Sequence, residues 1–451
     1  MTLITDRPSP SDPRPWTFPA FERREVAGGR VITAHLPGRP LAVTSLVVDA
    51  GASSEPLGQA GVAELVARAL SEGTAARDAY GFGVAGERLG ASWRASTDWD
   101  SLRCGFEVPV GELAAATDLL AEAVRDAAFA DETLKRVRDE RLDEISIELS
   151  QPAARAGAAF AAEVFADSSR YVRSEAGDEG TISALANDDI RAFRSARLRR
   201  SLATLVVVGD LDGADVEALG RSVFDGWDDS AEGSVVPDVA VRAAGRRVVI
   251  VDRPGSVQSM LMVGHDGPPR KVEDYVAMTT MSMILGGMFS SRLNMKIREE
   301  KGYSYGAFGG YDTRKHGGMF LARSAVQSEV TAPALADIVA EIERMHAGGV
   351  EPDELEQARA YRAGVFPISF AGTAPVASGL ADVVTHGFAD DHFDALRARV
   401  LTVTKAELDA SARTRLRPDD LVTVVVGDAE VIEADVAGLG LGPVTVVPDE
   451  D

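Results

Sequence analysis

One cysteine, six histidines and a shortage of positive charge set the outer limits on this 451-residue chain. Cys104, standing alone, excludes an internal disulfide and any multi-cysteine metal site. It lies in the alternating run "SLRCGFEVPV", where it reads as a small, half-buried strand residue rather than a reactive thiol. His35, His265, His316, His346, His386 and His392 never fall three or four residues apart, so no pair has the spacing of zinc ligands on one helix face. Lys and Arg number 47 against 70 Asp and Glu, a net charge of −23. Such a surface repels phosphate backbones and anionic membranes, so neither nucleic acid nor a membrane is expected as a partner. No run of eighteen uncharged apolar residues occurs, and no spanning helix is expected. The opening "MTLITDRPSPSDPRPWTFPAF" has four prolines in its first eighteen residues and no apolar core segment. It is expected to be neither a signal peptide nor an anchor, and the expected location is cytoplasmic.

What is present is an ordinary globular balance, 45% apolar and 26% charged, over a length that allows two to three domains. An internal repeat organises it. "NDDIRAFRSARLRRSLATLVVVGD" (187–210) matches "VTKAELDASARTRLRPDDLVTVVVGD" (403–428) at an offset of 218 residues. Ile190 meets Leu408, Arg197-Leu198-Arg199 meets Arg415-Leu416-Arg417, and Val206 to Asp210 meets Val424 to Asp428. Both segments read as an amphipathic helix running into a buried strand. "TSLVVDAG" (44–51) and "SMLMVGHDG" (259–267) form a second pair, offset by about 216.

The acidic, aperiodic stretch "DGWDDSAEGSVVPDVAV" marks a linker at 226–241 between units at 1–225 and 242–451. Long helical patterns stand at 112–127, 131–149, 153–166, 272–285, 331–347 and 352–364. Alternating or buried strands stand at 30–36, 43–50, 101–109, 203–209, 246–252, 259–264, 318–326 and 421–427. Strands and helices in separate blocks predict α+β: a tandem duplication of two similar domains, each a mostly antiparallel sheet flanked by helices.

"GVAELVARALSEGT" (61–74) carries Val62, Leu65, Val66, Ala69 and Leu70 at the spacing of one buried helix face. Glu64, Ala67 and Arg68 occupy the other positions. This segment resembles the zinc-site region of the pitrilysin and mitochondrial-processing-peptidase family, the inverzincins, whose motif reads Gly-x-Ala-His-x-x-Glu-His-x-x-x-x-Gly-Thr. Gly61, Ala63, Gly73 and Thr74 keep its frame. Glu64 stands for the first His, Ala67 for the general base and Arg68 for the second His. A fixed cation cannot ligate zinc, and alanine cannot deprotonate a bound water. "ERLDEISIELSQP" resembles the segment bearing the family's third ligand, and Glu144 falls at that position. "RLGASWRAST" resembles a substrate-binding segment, with Arg94 in place of the family's asparagine. No metal or other cofactor is therefore expected in this chain. Two readings of Glu64 and Arg68 stand side by side: an exposed i,i+4 ion pair contributing about 0.3–0.5 kcal/mol, or an arginine that fills the zinc position and bridges Glu64 to Glu144.

"ILGGMFSSRLNMKIREEKGYSYGAFGGYDT" (284–313) resembles the family's C-terminal signature, in which an arginine and a tyrosine seven residues later hold the substrate carbonyl and the oxyanion. Arg298 and Tyr305 match by motif and spacing. The residues themselves predict a helix with apolar Leu293, Met295 and Ile297, ended by Gly302, with Tyr305 opening the next strand. Tyr303 offers a hydroxyl on the same strand face. A surface arginine paired with Glu299 and an ordinary strand tyrosine are the plain alternatives. Arg292 reads as structural, fixing the helix start. Gly286 and Gly287 resemble, in shortened form, a glycine-rich loop that contacts substrate in non-catalytic family subunits.

The resemblance covers nearly the whole chain and implies a non-catalytic subunit of a heterodimeric zinc peptidase, inactive alone. Its implied partner is a homologous chain bearing His-x-x-Glu-His and the zinc. Arg298 and Tyr305 would complete that partner's site, and the substrate would be a peptide or unfolded protein segment. The alternative is an inert scaffold or binding protein, like the family's core subunits of a respiratory complex.

Overall fold

Apolar β-branched runs such as "ATLVVVG" and "VTVVVG" suit strands buried on both faces, and both runs are fully buried. A computed structural model describes residues 14–227 and 235–449. The first half supplies β1 (Glu22–Val26), β2 (Gly29–His35), β3 (Leu41–Val48), β4 (Ser92–Thr97), β5 (Leu102–Pro109) and β6 (Ala203–Gly209). The second supplies β7 (Arg247–Asp252), β8 (Gln258–Gly267), β9 (Ala307–Thr313), β10 (Gly318–Gln327), β11 (Val422–Gly427) and β12 (Val444–Pro448).

The two sheets run β1-β2-β6-β3-β5-β4 and β12-β7-β11-β8-β10-β9. From the second strand onward the orders correspond position by position. Each has one parallel pair at the matching place, β2 with β6 and β7 with β11, followed by antiparallel pairs. They differ at one edge, where β1 is antiparallel to β2 and β12 parallel to β7. The fold is thus two similar α+β units, as the repeat predicts.

Each sheet packs its own helices on one face. The other face is covered by a helix from the opposite half. Pro152–Val164, rich in alanine, lies on β8 and β11, with Phe160 and Val164 among Val249, Met262, Val424 and Val426. Thr373–His386 lies on β3 and β6, with Val376, Leu380 and Val383 among Ile32, Val47, Val206 and Val208. This reciprocal exchange explains why β6 and β11 need no polar face. It also joins the halves, so the sequence boundary is not a boundary in packing. Within the expected linker, residues 228–234 lie outside the described residues. The remainder follows first-half backbone: Ala166 N donates to Ala240 O at 3.0 Å, and Arg242 N to Val164 O at 3.0 Å.

Among the described residues no single helix is long and apolar enough to cross a membrane. Cys104 is more buried than expected, facing the first core from β5 with 2% exposure. Burial pushes its thiol up to about 12.

Candidate functional site

The helix Val62–Ala69 begins at Gly61, whose φ of +93° lies in the left-handed region. A Cβ there would also meet Ile182 Cδ1 at 2.6 Å, so the position requires glycine. No side chain of the first residue caps the helix. Glu55 does so from the preceding loop, accepting from Gly61 N at 3.0 Å and Ala63 N at 2.7 Å. Its carboxylate is held by Arg170 at 2.6 Å, both side chains being at most 2% exposed. Burial raises Glu55's pKa, opposed by the Arg170 charge and the two backbone donors. Sequence reasoning missed this pair, because nothing in the pattern links residues 115 positions apart.

On the opposite side of that helix, Ala67 is buried and Glu64 and Arg68 point toward helix Asp131–Leu149. Arg68 Nε donates to Glu64 Oε1 at 2.7 Å, and its two terminal nitrogens donate to the Glu144 oxygens at 2.8 and 2.7 Å. Arg68 therefore bridges the two carboxylates. The Thr97 hydroxyl on β4 donates to the other Glu64 oxygen at 2.9 Å. Beyond Glu144 the network continues through Arg141, which contacts Glu144 at 3.2 Å and forks onto Glu148 at 2.7 and 2.9 Å. Hydrogen bonds from Arg68, opposed by partial burial, hold Glu144 below the usual carboxylate range. The same bonds to Glu144 raise the Arg68 guanidinium. Arg141 and Glu148 were visible only as an i,i+7 pair within a highly charged helix.

These residues do not fit zinc. Two carboxylates remain, but an arginine stands between them and donates to both. Among the described residues no three His, Cys, Asp or Glu side chains converge to hold a metal ion. The network sets three carboxylates, Glu64, Glu144 and Glu148, against two guanidiniums, Arg68 and Arg141, and Ala67 offers no general base.

Beside Glu148 lies a cavity of about 650 Å³ between helices Asp131–Leu149 and Pro152–Val164 and the β9–β10 hairpin. Arg314 from that hairpin stacks on Trp99 at 4.0 Å and Tyr171 at 4.6 Å, closing one side. Arg94, on edge strand β4, is exposed.

In the second half, the segment predicted as one helix from 272 to 285 is helical over Tyr275–Ser282 and then widens to i→i+5 turns over Met283–Gly287. Arg292–Asn294 and the wide turns of Met295–Glu300 follow. Leu293 and Ile297 are buried there, whereas Met295 is exposed. Arg292, 8% exposed, forks onto Glu354 at 2.7 and 2.6 Å and donates to Gly349 O at 2.9 Å, a structural role. Gly286 is buried with its α-carbon against Gly309, where a Cβ would stand 2.2 Å from Gly309 N; close packing accounts for this glycine. Gly287 is exposed.

Arg298 is half-buried, with its guanidinium 4.7 Å from the Phe289 ring and 3.4 Å from Glu299. Tyr305 does not open a strand. A Ser304 turn, Oγ to Gly306 O at 2.9 Å, delays β9 to Ala307 and leaves Tyr305 99% exposed. Tyr303 is not on a strand face either; it packs against the second core. Asn294, 4% exposed, fixes the frame beneath both residues. It donates to Phe289 O at 2.6 Å and accepts from Ala307 N at 3.4 Å. Among the described residues neither Arg298 nor Tyr305 is hydrogen-bonded to Glu64, Arg68 or Glu144.

Comparison with known proteins agrees with this picture. Residues 30–165 match the family described as insulinase (peptidase family M16), and residues 184–361 match that described as the peptidase M16 inactive domain. An uncharacterized zinc protease of Mycobacterium leprae is 27% identical over 334 residues, 71% of this chain and 75% of the relative. A crystal structure of a peptidase M16 inactive domain from Pseudomonas fluorescens shares the fold with TM-score 0.84 and 22% identity, over 90% of this chain and 98% of that one. A protease of Helicobacter pylori does so with TM-score 0.84 and 20% identity, over 90% and 99%. With both halves matched by family models that together span more than half of its length, the chain belongs to the M16 peptidase family and lacks that family's zinc-binding histidines.

Proposed function

We propose that this chain is the non-catalytic member of a two-chain zinc peptidase, lending Arg298 and Tyr305 to a zinc site on a homologous partner. The observation that carries this reading is the contrast between the two signature regions. Arg68 is committed to Glu64 and Glu144, whereas Tyr305 stands 99% exposed and, among the described residues, its hydroxyl has no hydrogen-bond partner. An exposed phenol and, seven residues before it at the end of the preceding helical turns, a half-buried permanent cation suit a developing oxyanion supplied from outside the chain. The chemistry assigned to this chain is limited to what those groups do: the guanidinium and phenol donate to the substrate carbonyl oxygen and to the negative charge it gains. The partner supplies metal, base and water. Substrate would be an extended peptide, added along an edge strand of the partner.

Native co-purification tests the reading, with the bound chain identified and zinc counted. A similar-sized chain carrying His-x-x-Glu-His, at one zinc per pair, is the expected result. Recovery of this chain alone, or only with chains lacking that motif, would leave the scaffold role in its place.

A further inference from the structure

A second constellation lies where the segment after β8 meets the turn between helices Thr373–His386 and His392–Thr402. The Arg270 guanidinium carbon is 3.6 Å from the Tyr275 ring centroid and 4.8 Å from that of Phe388. His392 stacks on Phe388, with centroids 3.8 Å apart and planes within 5°. Lys271 Nζ reaches the same turn, donating to Gly387 O at 3.0 Å. A cavity of about 410 Å³ opens among these side chains, with Val276 and Leu396 forming an apolar wall.

The charge balance here is the reverse of the rest of the molecule. In a chain with 70 acidic and 47 basic residues, many arginines elsewhere find carboxylates, as Arg292 does in Glu354 and Arg415 in Asp274. Arg270 is half-buried, yet among the described residues its guanidinium has no hydrogen-bond or ion-pair partner. Asp382, whose charge is felt at Arg270, is engaged by Arg103 at 3.0 Å. Arg399, also at the cavity, is taken by Glu407, and the one acidic lining residue, Glu273, is exposed at the rim. His392 Nε2 is buried without a partner. Burial, then the Arg270 charge, holds His392 and His386 down at about 4, opposed by the charges of Asp391 and Asp98.

A guanidinium held by its faces keeps its in-plane N–H groups for another ligand. We propose that this pocket binds the phosphate group of a small molecule, seated on the Arg270 fork with Lys271 and His392 as flanking donors. Several donors gathered on one anion suit a dianion better than a singly charged carboxylate, and the fork matches two oxygens at once. The cavity's size and the net charge of −23 disfavour a polyanion. The apolar wall would accept the organic part of a phosphate ester.

The test is calorimetric titration of the full chain with inorganic phosphate, phenyl phosphate and acetate at constant ionic strength. Saturable one-to-one binding of at least one phosphate is expected, with acetate silent. Tighter binding of phenyl phosphate identifies an ester as the ligand type, and equal binding identifies free phosphate; both support the site. Arg270→Gln should weaken binding by about tenfold to a hundredfold. Lys271→Gln alters an exposed side chain that folding does not need, and should weaken binding about threefold. Absence of saturation, equal binding of acetate, or binding unchanged in Lys271→Gln would each overturn the assignment, whatever Arg270→Gln does to folding.

Discussion

The two halves solve the same packing problem with different chemistry. In each, the helix that follows the matching strand, β3 or β8, must be joined to the second α-helix after the β-hairpin. In the first half Arg68 joins Val62–Ala69 to Asp131–Leu149 through Glu144, at partial exposure. In the second, Arg362 of helix Pro352–Ser369 donates to the Val276 carbonyl at 3.1 Å and to the Thr280 hydroxyl. Burial lowers that guanidinium to about 10 without a carboxylate to oppose it. The first joint is a cation held by carboxylates; the second is a cation on neutral acceptors. Ionisable side chains make the joint in the first half, and neutral acceptors make it in the second.

The comparison breaks most sharply at Glu55. Arg170→Ala strands a fully buried carboxylate beneath the first-half helix and should cost about 3–5 kcal/mol in chemical denaturation. Arg292→Ala leaves Glu354, which is 28% exposed, and should cost less, about 1–3 kcal/mol. Equal losses would mean that the two anchors are equally desolvated. A smaller effect separates the joints. Glu144 has a folded pKa below its unfolded value of about 4.5, so its contribution is complete above that pH and is lost as pH falls through the folded value. The destabilisation caused by Arg68→Gln, on the order of 1 kcal/mol at pH 7, should therefore shrink below pH about 4.5. That of Arg362→Met should stay constant from pH 3 to 8, since arginine keeps its charge there. Parallel pH profiles for the two variants would contradict the distinction. Smallest in energy, but specific to one sheet, is thiol labelling. Cys104 is the only cysteine and is buried on β5 with its pKa pushed to about 12, so a thiol reagent should report opening of the first unit alone. Rapid native-state labelling would show that unit to be the looser one.

Much of this was legible from residue patterns. The eight inner strands lie within a few residues of their expected limits, because burial imposes alternation or continuous apolar character. Three strands have no predicted counterpart, β1, β4 and β12, and a fourth, β9, was expected only as a strand opening at Tyr305; all four are sheet edges. Edges carry polar or glycine-rich sequences such as "ERREV" and "AFGGYDT", in which half-exposure erases the signal. The Arg68 bridge was foreseeable from spacing and resemblance together. Its extension to Arg141 and Glu148, and the Glu55–Arg170 anchor, depend on tertiary contacts that periodicity does not encode. The helix exchange was hidden for a related reason: an apolar face announces that it will be buried, not which half will bury it. Tyr305 was placed one turn too early into a strand because the Ser304 turn has no strong sequence marker.

The central claim is that this chain acts through Arg298 and Tyr305 on a site it does not itself contain. The most direct measurement is steady-state peptide turnover by the two-chain complex reconstituted with Arg298→Ala, with pairing and zinc content checked in the same sample. The account predicts turnover lowered by about 10²–10³ with pairing and zinc unchanged; turnover equal to that of the unaltered complex would contradict it.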